Sequence, residues 1–284
     1  MENTNFLYEN DKDKNQEKIE QEFSVFDRCI DNDEFHEEHL HEGIQQLDRY
    51  SDIKSYKHNI IPINTKQKYI NASPINYNTE NYFISTQGPK EETIEDFWTM
   101  VEQYNCNVIV MLCKETEQGR PKCAKYWEKK IYKNYTIKEV NEEEVKKEYI
   151  IREIQIINND SKKEKKVHQI HFTGWPDHGV PDISNGKIFE TFCKMNELVD
   201  SYRGDTPIVV HCSAGVGRTG TFISMYCLEK EIKDQIKNNV TEIQFSIFNL
   251  VRKLKEMRLY MVQTEAQYKF IYDFVNHLLE TSNK

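Results

Sequence analysis

The chain is short of several things that would have settled its class at once. Its 284 residues hold 10 glycines and 7 prolines, with no Pro/Gly/Ser-rich stretch that would read as a linker. No internal repeat is found, which excludes a solenoid or propeller. No apolar run approaches the roughly 20 residues of a membrane span. The opening residues 1–10 have neither the basic nor the apolar region of a secretory signal. Positive charge is not in excess. Lys and Arg number 38 against 47 Asp and Glu, a net charge of −9. That argues against nonspecific nucleic-acid binding, and it requires any acidic substrate to be drawn by a local positive site. The seven cysteines (Cys29, Cys106, Cys113, Cys123, Cys193, Cys212 and Cys227) are odd in number and contain no C-x-x-C pair. A disulfide framework is therefore not read, and a reducing, cytoplasmic compartment is expected. Asn71, Asn134, Asn159 and Asn239 open N-x-S/T sequons, which read as chance matches in an Asn-rich chain. His36, His39 and His41 lie in an acidic stretch with no further ligand at a recognisable spacing, so they read as a solvated surface and no metal is expected.

What is present is a soluble composition, 38% hydrophobic and 30% charged, long enough for one full core. Residues 1–16 are polar and read as a loose N-terminal segment. From Glu17, the spacing of Ile19, Phe23, Phe26 and Ile30 predicts a helix. Residues 69–73 and 82–86 read as short strands, 93–103 as a helix and 108–112 as a buried parallel strand. Residues 132–140, 149–157 and 167–172 read as an antiparallel meander. Two helices, about 243–257 and 264–279, close the chain, with Thr264 and Gln267 forming a capping box. The sum is an α/β protein: a single domain over 17–284 with a central twisted mixed β-sheet flanked by helices.

The most informative segment runs from His211 to Gly220. It sets Cys212 and Arg218 six positions apart across a loop of Ser213, Ala214, Gly215, Val216 and Gly217. The apolar residues 207–210 before it read as a buried strand, and 221–232 after it as a helix. Strand, Gly-containing turn and helix N-terminus together make an anion cradle of inward backbone N–H groups, reinforced by the helix dipole. Thiols in such surroundings ionise more readily than free cysteine. The reading is a thiolate nucleophile at Cys212 with Arg218 as a bidentate clamp on an oxyanion. The other six cysteines read as small core residues.

An ordered series of segments then identifies a family. The series begins with Arg49-Tyr50-x-Asp52-Ile53, Tyr69-Ile-Asn-Ala-Ser73, Thr86-Gln-Gly-Pro89 and Asp96-Phe-Trp98. It continues with Lys122-Cys-Ala-Lys-Tyr-Trp127 and Trp175-Pro-Asp-His-Gly-Val-Pro181, and closes with the 211–220 loop and Gln263-Thr-x-x-Gln267. In this order the chain resembles the tyrosine-specific, cysteine-dependent protein tyrosine phosphatases over most of its length, and the resemblance implies the phosphotyrosine phosphatase fold. It implies that Cys212 attacks phosphorus while the loop N–H groups and Arg218 hold the equatorial oxygens. It implies that Asp177, 35 positions earlier, is the general acid and later the base, on a mobile loop anchored by Trp175. Gln263 and Gln267 would position water. Thr219 would donate to the thiolate sulfur, and His211 would order the loop. Glu117 and Lys122 would support Arg218 and Asp177. Tyr50 would wall a deep phenyl-phosphate cleft, with Ile53 on the ring's other side and Asp52 accepting bonds from the substrate backbone. The implied ligands are phosphotyrosine proteins and peptides and, in the same cradle, phosphate, vanadate or sulfate. No cofactor, no nucleic acid and a monomer are expected.

Two other readings stay open on the sequence: a phosphotyrosine-binding scaffold, and a dual-specificity or lipid phosphatase. Scaffold relatives usually lose the nucleophile, the arginine or the acid, and Cys212, Arg218 and Asp177 are all present. The signature loop has none of the extra lysines that hint at an inositide substrate. The chain also departs from the family pattern. Ser51 replaces a residue that is often basic, residues 55–59 lack the usual Pro, Asp and Arg, and Glu102, Glu128 and Tyr226 stand at positions commonly Trp, Pro and Asp. Leu259-Tyr260 replaces a Pro-Gly-like pair, so Tyr260 is expected to narrow a side entrance and disfavour doubly phosphorylated or bulky substrates.

Overall fold

The apolar run before the signature loop does become a strand, and it sits at the centre of the sheet. In the computed structural model, which describes residues 12–28, 44–78, 82–145, 147–176, 179–184 and 186–282, β9 (Ile208–His211) is fully buried. It lies between β2 (Tyr82–Thr86) and β3 (Val108–Met111) and is parallel to both. Parallel strands with both faces covered are expected to be continuous apolar runs, as Val108–Met111 of β3 and Ile208–Val210 of β9 are. The sheet has seven strands in the order β1-β2-β9-β3-β8-β7-β6. Here β1 is Ala72–Asn76, β6 Tyr135–Val145, β7 Tyr149–Asn158 and β8 Glu164–Phe172. β1 runs antiparallel to β2, and β6, β7 and β8 form the expected antiparallel meander. β8 is parallel to β3, so the sheet is mixed. A separate two-stranded ribbon pairs β4 (Thr116–Glu117) with β5 (Arg120–Pro121).

Helices cover this sheet: α1 (Lys12–Arg28), α2 (Ile94–Gln103), α3 (Lys187–Arg203), α4 (Gly217–Lys237), α5 (Ile247–Met257) and α6 (Glu265–Ser282). The expected start of the first helix at Glu17 falls inside α1, which begins at Lys12. Ile30 and the three histidines lie outside the described residues, as does Cys29. α1 docks on α6 through Phe23 and Phe26 against Tyr268, and through Glu22, which accepts from the Tyr268 and Tyr272 hydroxyls.

Several elements differ from the sequence reading: the strand expected over 69–73 forms instead over Ala72–Asn76, and the β4–β5 ribbon was not anticipated. α3 was not anticipated, although Phe189, Phe192, Met195 and Val199 recur at helical spacing and are buried. β6 begins at Tyr135 and continues to Val145 through Glu142, Glu143 and Glu144, past the strand end expected at residue 140. The ladder with β7 overrides the poor strand propensity of glutamate at this edge. Arg152 on β7, 5% exposed at its side chain, pairs with Glu142 at 2.5 Å. Among the described residues no helix is long and apolar enough to cross a membrane.

α3 carries Phe192 into a cluster with Phe172, Trp175, Phe222 and Phe270. Truncating a fully buried aromatic costs about 3–5 kcal/mol. Phe192→Ala is therefore expected to lower the unfolding free energy from urea titration by that amount, read as a lower midpoint at unchanged slope. A loss under ~1 kcal/mol would show that this cluster does not hold α3 to the sheet.

Candidate active site

β9 ends at His211 and the chain turns at once into the loop that leads to α4. In that loop every carbonyl from Cys212 to Val216 is held from outside. The Cys212 oxygen accepts from His211 Nδ1 at 2.9 Å, and the Ser213 oxygen from the Gly88 N–H at 2.9 Å. The Ala214 oxygen accepts from Arg258 Nη2 at 3.3 Å. The Gly215 oxygen takes both Ser85 Oγ at 2.8 Å and Arg258 Nε at 2.9 Å. The Val216 oxygen accepts from the Gly220 and Val262 N–H groups. With the carbonyls turned out, the loop N–H groups are left to the inside, where Gly215 N–H donates to Cys212 Sγ at 3.2 Å. The turn needs Gly215: its φ is +73°, and a Cβ there would lie 2.1 Å from the Thr86 carbonyl oxygen. Gly217 serves differently from the expected bend. It is the first residue of α4, and a Cβ there would lie 2.9 Å from the Gln267 side-chain amide.

Arg258 was not foreseen from the sequence. It is fully buried, and besides the two loop carbonyls it donates to Ser55 Oγ, Ser73 Oγ and Asn71 Oδ1. Burial pulls its pKa down to about 10, still protonated at neutrality. Nothing in a single sequence marks this arginine, which follows an amphipathic helix. Its partner Asn71 did stand in a quoted motif.

The cleft over the loop has a volume of about 360 Å³. Tyr50, Asp52, Ile53, Glu117, Lys122, Cys212, Arg218, Gln263 and Gln267 line it, so the structure brings together most of the residues singled out above. Tyr50 OH bonds Ser213 Oγ at 2.8 Å, and Ser213 Oγ donates to the Lys122 carbonyl at 2.9 Å, which fixes one wall. Arg218 is held by both Glu117 oxygens, at 2.6 and 2.9 Å. Burial works to raise the Glu117 carboxyl, but the Arg218 bonds outweigh it and hold the group below the usual range. Arg218 Nη1 also donates to the Leu112 carbonyl, and Nη2 makes a long 3.4 Å contact with the Pro176 carbonyl. Both terminal nitrogens are thus engaged, Nη2 by Glu117 and the long Pro176 contact, and among the described residues Nε is the guanidinium donor left for an oxyanion.

Gln267 closes the capping box at the start of α6. Its Oε1 accepts from the Gln263 and Thr264 N–H groups, while Thr264 Oγ1 accepts from the Gln267 N–H. The cap and the cleft share this residue. Thr219 does not make the expected bond to sulfur: its hydroxyl is buried and has no partner among the described residues. Trp175 is 2% exposed in the aromatic cluster and donates from Nε1 to the Gly179 carbonyl at 3.2 Å. Asp177 lies outside the described residues. Tyr260 is half-buried at a φ of +59° and does not line the cleft, so the expected narrowing of an entrance has no support in its placement.

The surroundings of four other thiols, three buried and Cys193 half-buried, disfavour ionisation. Burial pushes Cys106 and Cys193 up to about 12, and Cys113 and Cys227 upward as well. The surroundings of His211 suit the expected bracing of the loop. Its Nδ1–H serves Cys212, its Nε2 meets Tyr126 OH at 2.8 Å, and burial holds its pKa down at about 4. His171 is likewise held at about 4, mainly by burial. Both rings are neutral when folded and charge more readily when unfolded, so the unfolded chain binds more protons between pH ~6.5 and ~4. Stability is therefore expected to fall as pH drops through that window. Urea midpoints at pH 7 and pH 5, compared with those of His211→Gln, test this. The substitution is expected to flatten the pH slope, and an unaltered slope would contradict the buried-neutral assignment.

The chain resembles known proteins over most of this architecture. Residues 45–277 match the family model described as protein-tyrosine phosphatase. The chain is 37% identical over 239 residues to rat tyrosine-protein phosphatase non-receptor type 20, covering 82% of this chain and 54% of the relative. It is also 37% identical over 220 residues to tyrosine-protein phosphatase 2 of Dictyostelium discoideum, covering 76% of this chain and 56% of that one. A solved structure of PTPN18 in complex with HER2 phospho-peptides superposes with a TM-score of 0.82 at 27% identity, covering 93% of each chain. The chain spans about half the length of the relatives named here by sequence. On the match across 45–277 and the shared fold, this chain belongs to the protein-tyrosine phosphatase family.

Proposed function

We propose that the chain hydrolyses phosphotyrosine in proteins, through a cysteinyl-phosphate intermediate, with residues 17–284 as the catalytic domain. The observation that carries this is the loop whose five outward-held carbonyls leave an N–H cradle around Cys212, with Arg218 fixed beside it. A phosphotyrosine monoester is a dianion on an aryl oxygen, and the cradle presents donors to its three equatorial oxygens. Cys212 sulfur attacks phosphorus in line as the phosphorus–oxygen bond to the tyrosyl ring breaks, and Asp177 gives its proton to the leaving oxygen. Water oriented by Gln263 then attacks the phosphocysteine, returning its proton to Asp177. The unpartnered Thr219 hydroxyl is the donor available to the sulfur as it leaves. Phosphate, vanadate and sulfate are the simple anions that fit the same cradle.

Tyrosine rather than serine specificity rests on depth. Tyr50, held by its bond to Ser213, is read as the wall of a cleft too deep for a short phosphoserine side chain to reach Cys212, and its place in the cleft lining supports this reading. The neighbour solved with phospho-peptides supports a peptide substrate. The domain is read as a cytoplasmic monomer that needs no cofactor.

Phosphate release from matched phosphotyrosine, phosphoserine and phosphoinositide substrates tests the proposal. Release is expected from phosphotyrosine alone, absent in Cys212→Ser and lowered about 10²–10⁴-fold in Asp177→Asn. Comparable release from phosphoserine would remove the tyrosine assignment. Binding without release by the unaltered protein would make it a scaffold.

A further inference from the structure

The sheet has a strongly basic end that the chemistry above does not use. Residues 128–138 and 159–166 carry eight lysines against Glu128, Asp160 and Glu164, with Glu95 and Glu102 of α2 bonded to the same end, so cations still outnumber anions there in a chain whose net charge is −9. The topology brings these segments together. Asn159 donates from its backbone to the Asn134 carbonyl and from Nδ2 to the Tyr132 and Lys133 carbonyls, and Thr136 Oγ1 donates to Asn159 Oδ1. The tip of the first segment is fixed by the Ile131–Thr136 bridge. The lysines are displayed outward: Lys129, Lys130, Lys133, Lys138, Lys162, Lys163 and Lys166 are exposed. Among the described residues, Lys138 pairs with Glu164 and Lys166 with Glu153, while Lys129, Lys130, Lys133, Lys162 and Lys163 lie in no ion pair. At the apex between Lys130 and Lys133 stands Ile131, 79% exposed and the most exposed large hydrophobic among the described residues.

We propose that this end of the sheet docks on an anionic phospholipid surface. Lysines are drawn to the negative leaflet, and a single apolar apex held among them enters the headgroup–acyl boundary. The exposed isoleucine is what favours a membrane over an acidic protein, for which lysines alone would serve. The rest of the chain is acidic, so attraction requires this one orientation. Glu142, Glu143 and Glu144 on β6 and Glu148 in the turn to β7 sit at the opposite end of the meander. That opposite end is also where β9 and β3 deliver the catalytic loop. A docked molecule therefore holds its cleft about 30 Å from the bilayer, one ten-residue strand away, and facing outward.

Sedimentation of the full chain with vesicles tests this, comparing phosphatidylcholine alone with phosphatidylcholine containing about 30% phosphatidylserine, in roughly 0.1 M salt. Binding is expected only to the anionic vesicles and is expected to weaken as salt rises. Each lysine lost is expected to cost about fivefold. The triple variant K129E/K130E/K133E and the double variant K162E/K163E should each lower partitioning by more than about tenfold, and Ile131→Ala by a smaller factor. Thermal midpoints and turnover of a soluble aryl phosphate should be unchanged in all three. Equal sedimentation with neutral vesicles, no sedimentation with either, or variants that bind like the unaltered chain would overturn the proposal. Binding to polyglutamate with none to vesicles would also overturn it, and would point to an acidic protein instead.

Discussion

The anion cradle around Cys212 depends on a row of peptide carbonyls held facing away from its interior. A peptide that turns its oxygen outward turns its N–H inward, so the loop's positive interior depends on donors outside it. The most demanding of these is Arg258. It is a buried guanidinium without a hydrogen-bonded carboxylate, satisfied by the Ala214 and Gly215 carbonyls, two serine hydroxyls and Asn71. Burying such a charge is costly unless its donors are all used, and the planar fork of arginine meets several acceptors at once. Asn71 then links it to Asp48, which accepts from Asn71 Nδ2 at 2.8 Å and from Tyr69 OH at 2.6 Å. A cation and an anion are thus joined through an amide beneath the cradle.

The same logic extends to the other side of the loop. Arg152 donates to Gln169, Gln169 to Tyr126 OH, and Tyr126 to His211, whose remaining N–H closes on the Cys212 carbonyl. Each group has one orientation that satisfies its neighbours, so the tautomer of His211 follows from the chain of donors. The site's rigidity is therefore inherited from buried polar residues on β7, β8 and the Tyr126 segment, well away from the reacting sulfur. Glu117 performs the matching task for Arg218, fixing one side of the guanidinium and leaving the other toward the cleft.

Much of this was legible in the sequence, and the reasons are local. The signature loop announces itself because its glycines, cysteine and arginine lie within a few residues of one another. The central strands are legible because both of their faces are buried and the runs are apolar throughout. α3 carried a readable period in Phe189, Phe192, Met195 and Val199, but it opens after Gly186 with no side-chain cap to mark its start. The far half of β6 was not legible, since three successive glutamates form a strand only because β7 pairs with them. Arg258 was out of reach for a different reason. Its acceptors come from residues 55, 71, 73, 214 and 215, and only the folded topology brings those together.

The central claim is that outward-held carbonyls make the cradle, and Arg258→Lys in a Cys212→Ser background tests it most directly. Lysine keeps the charge but cannot reach both loop carbonyls, Asn71 and the two serines together. Calorimetric titration with a phosphotyrosine peptide, on protein confirmed as folded, is expected to show affinity reduced at least about tenfold. An affinity equal to that of the arginine protein would mean that the loop holds its anion-binding shape without this support, and the account would be wrong.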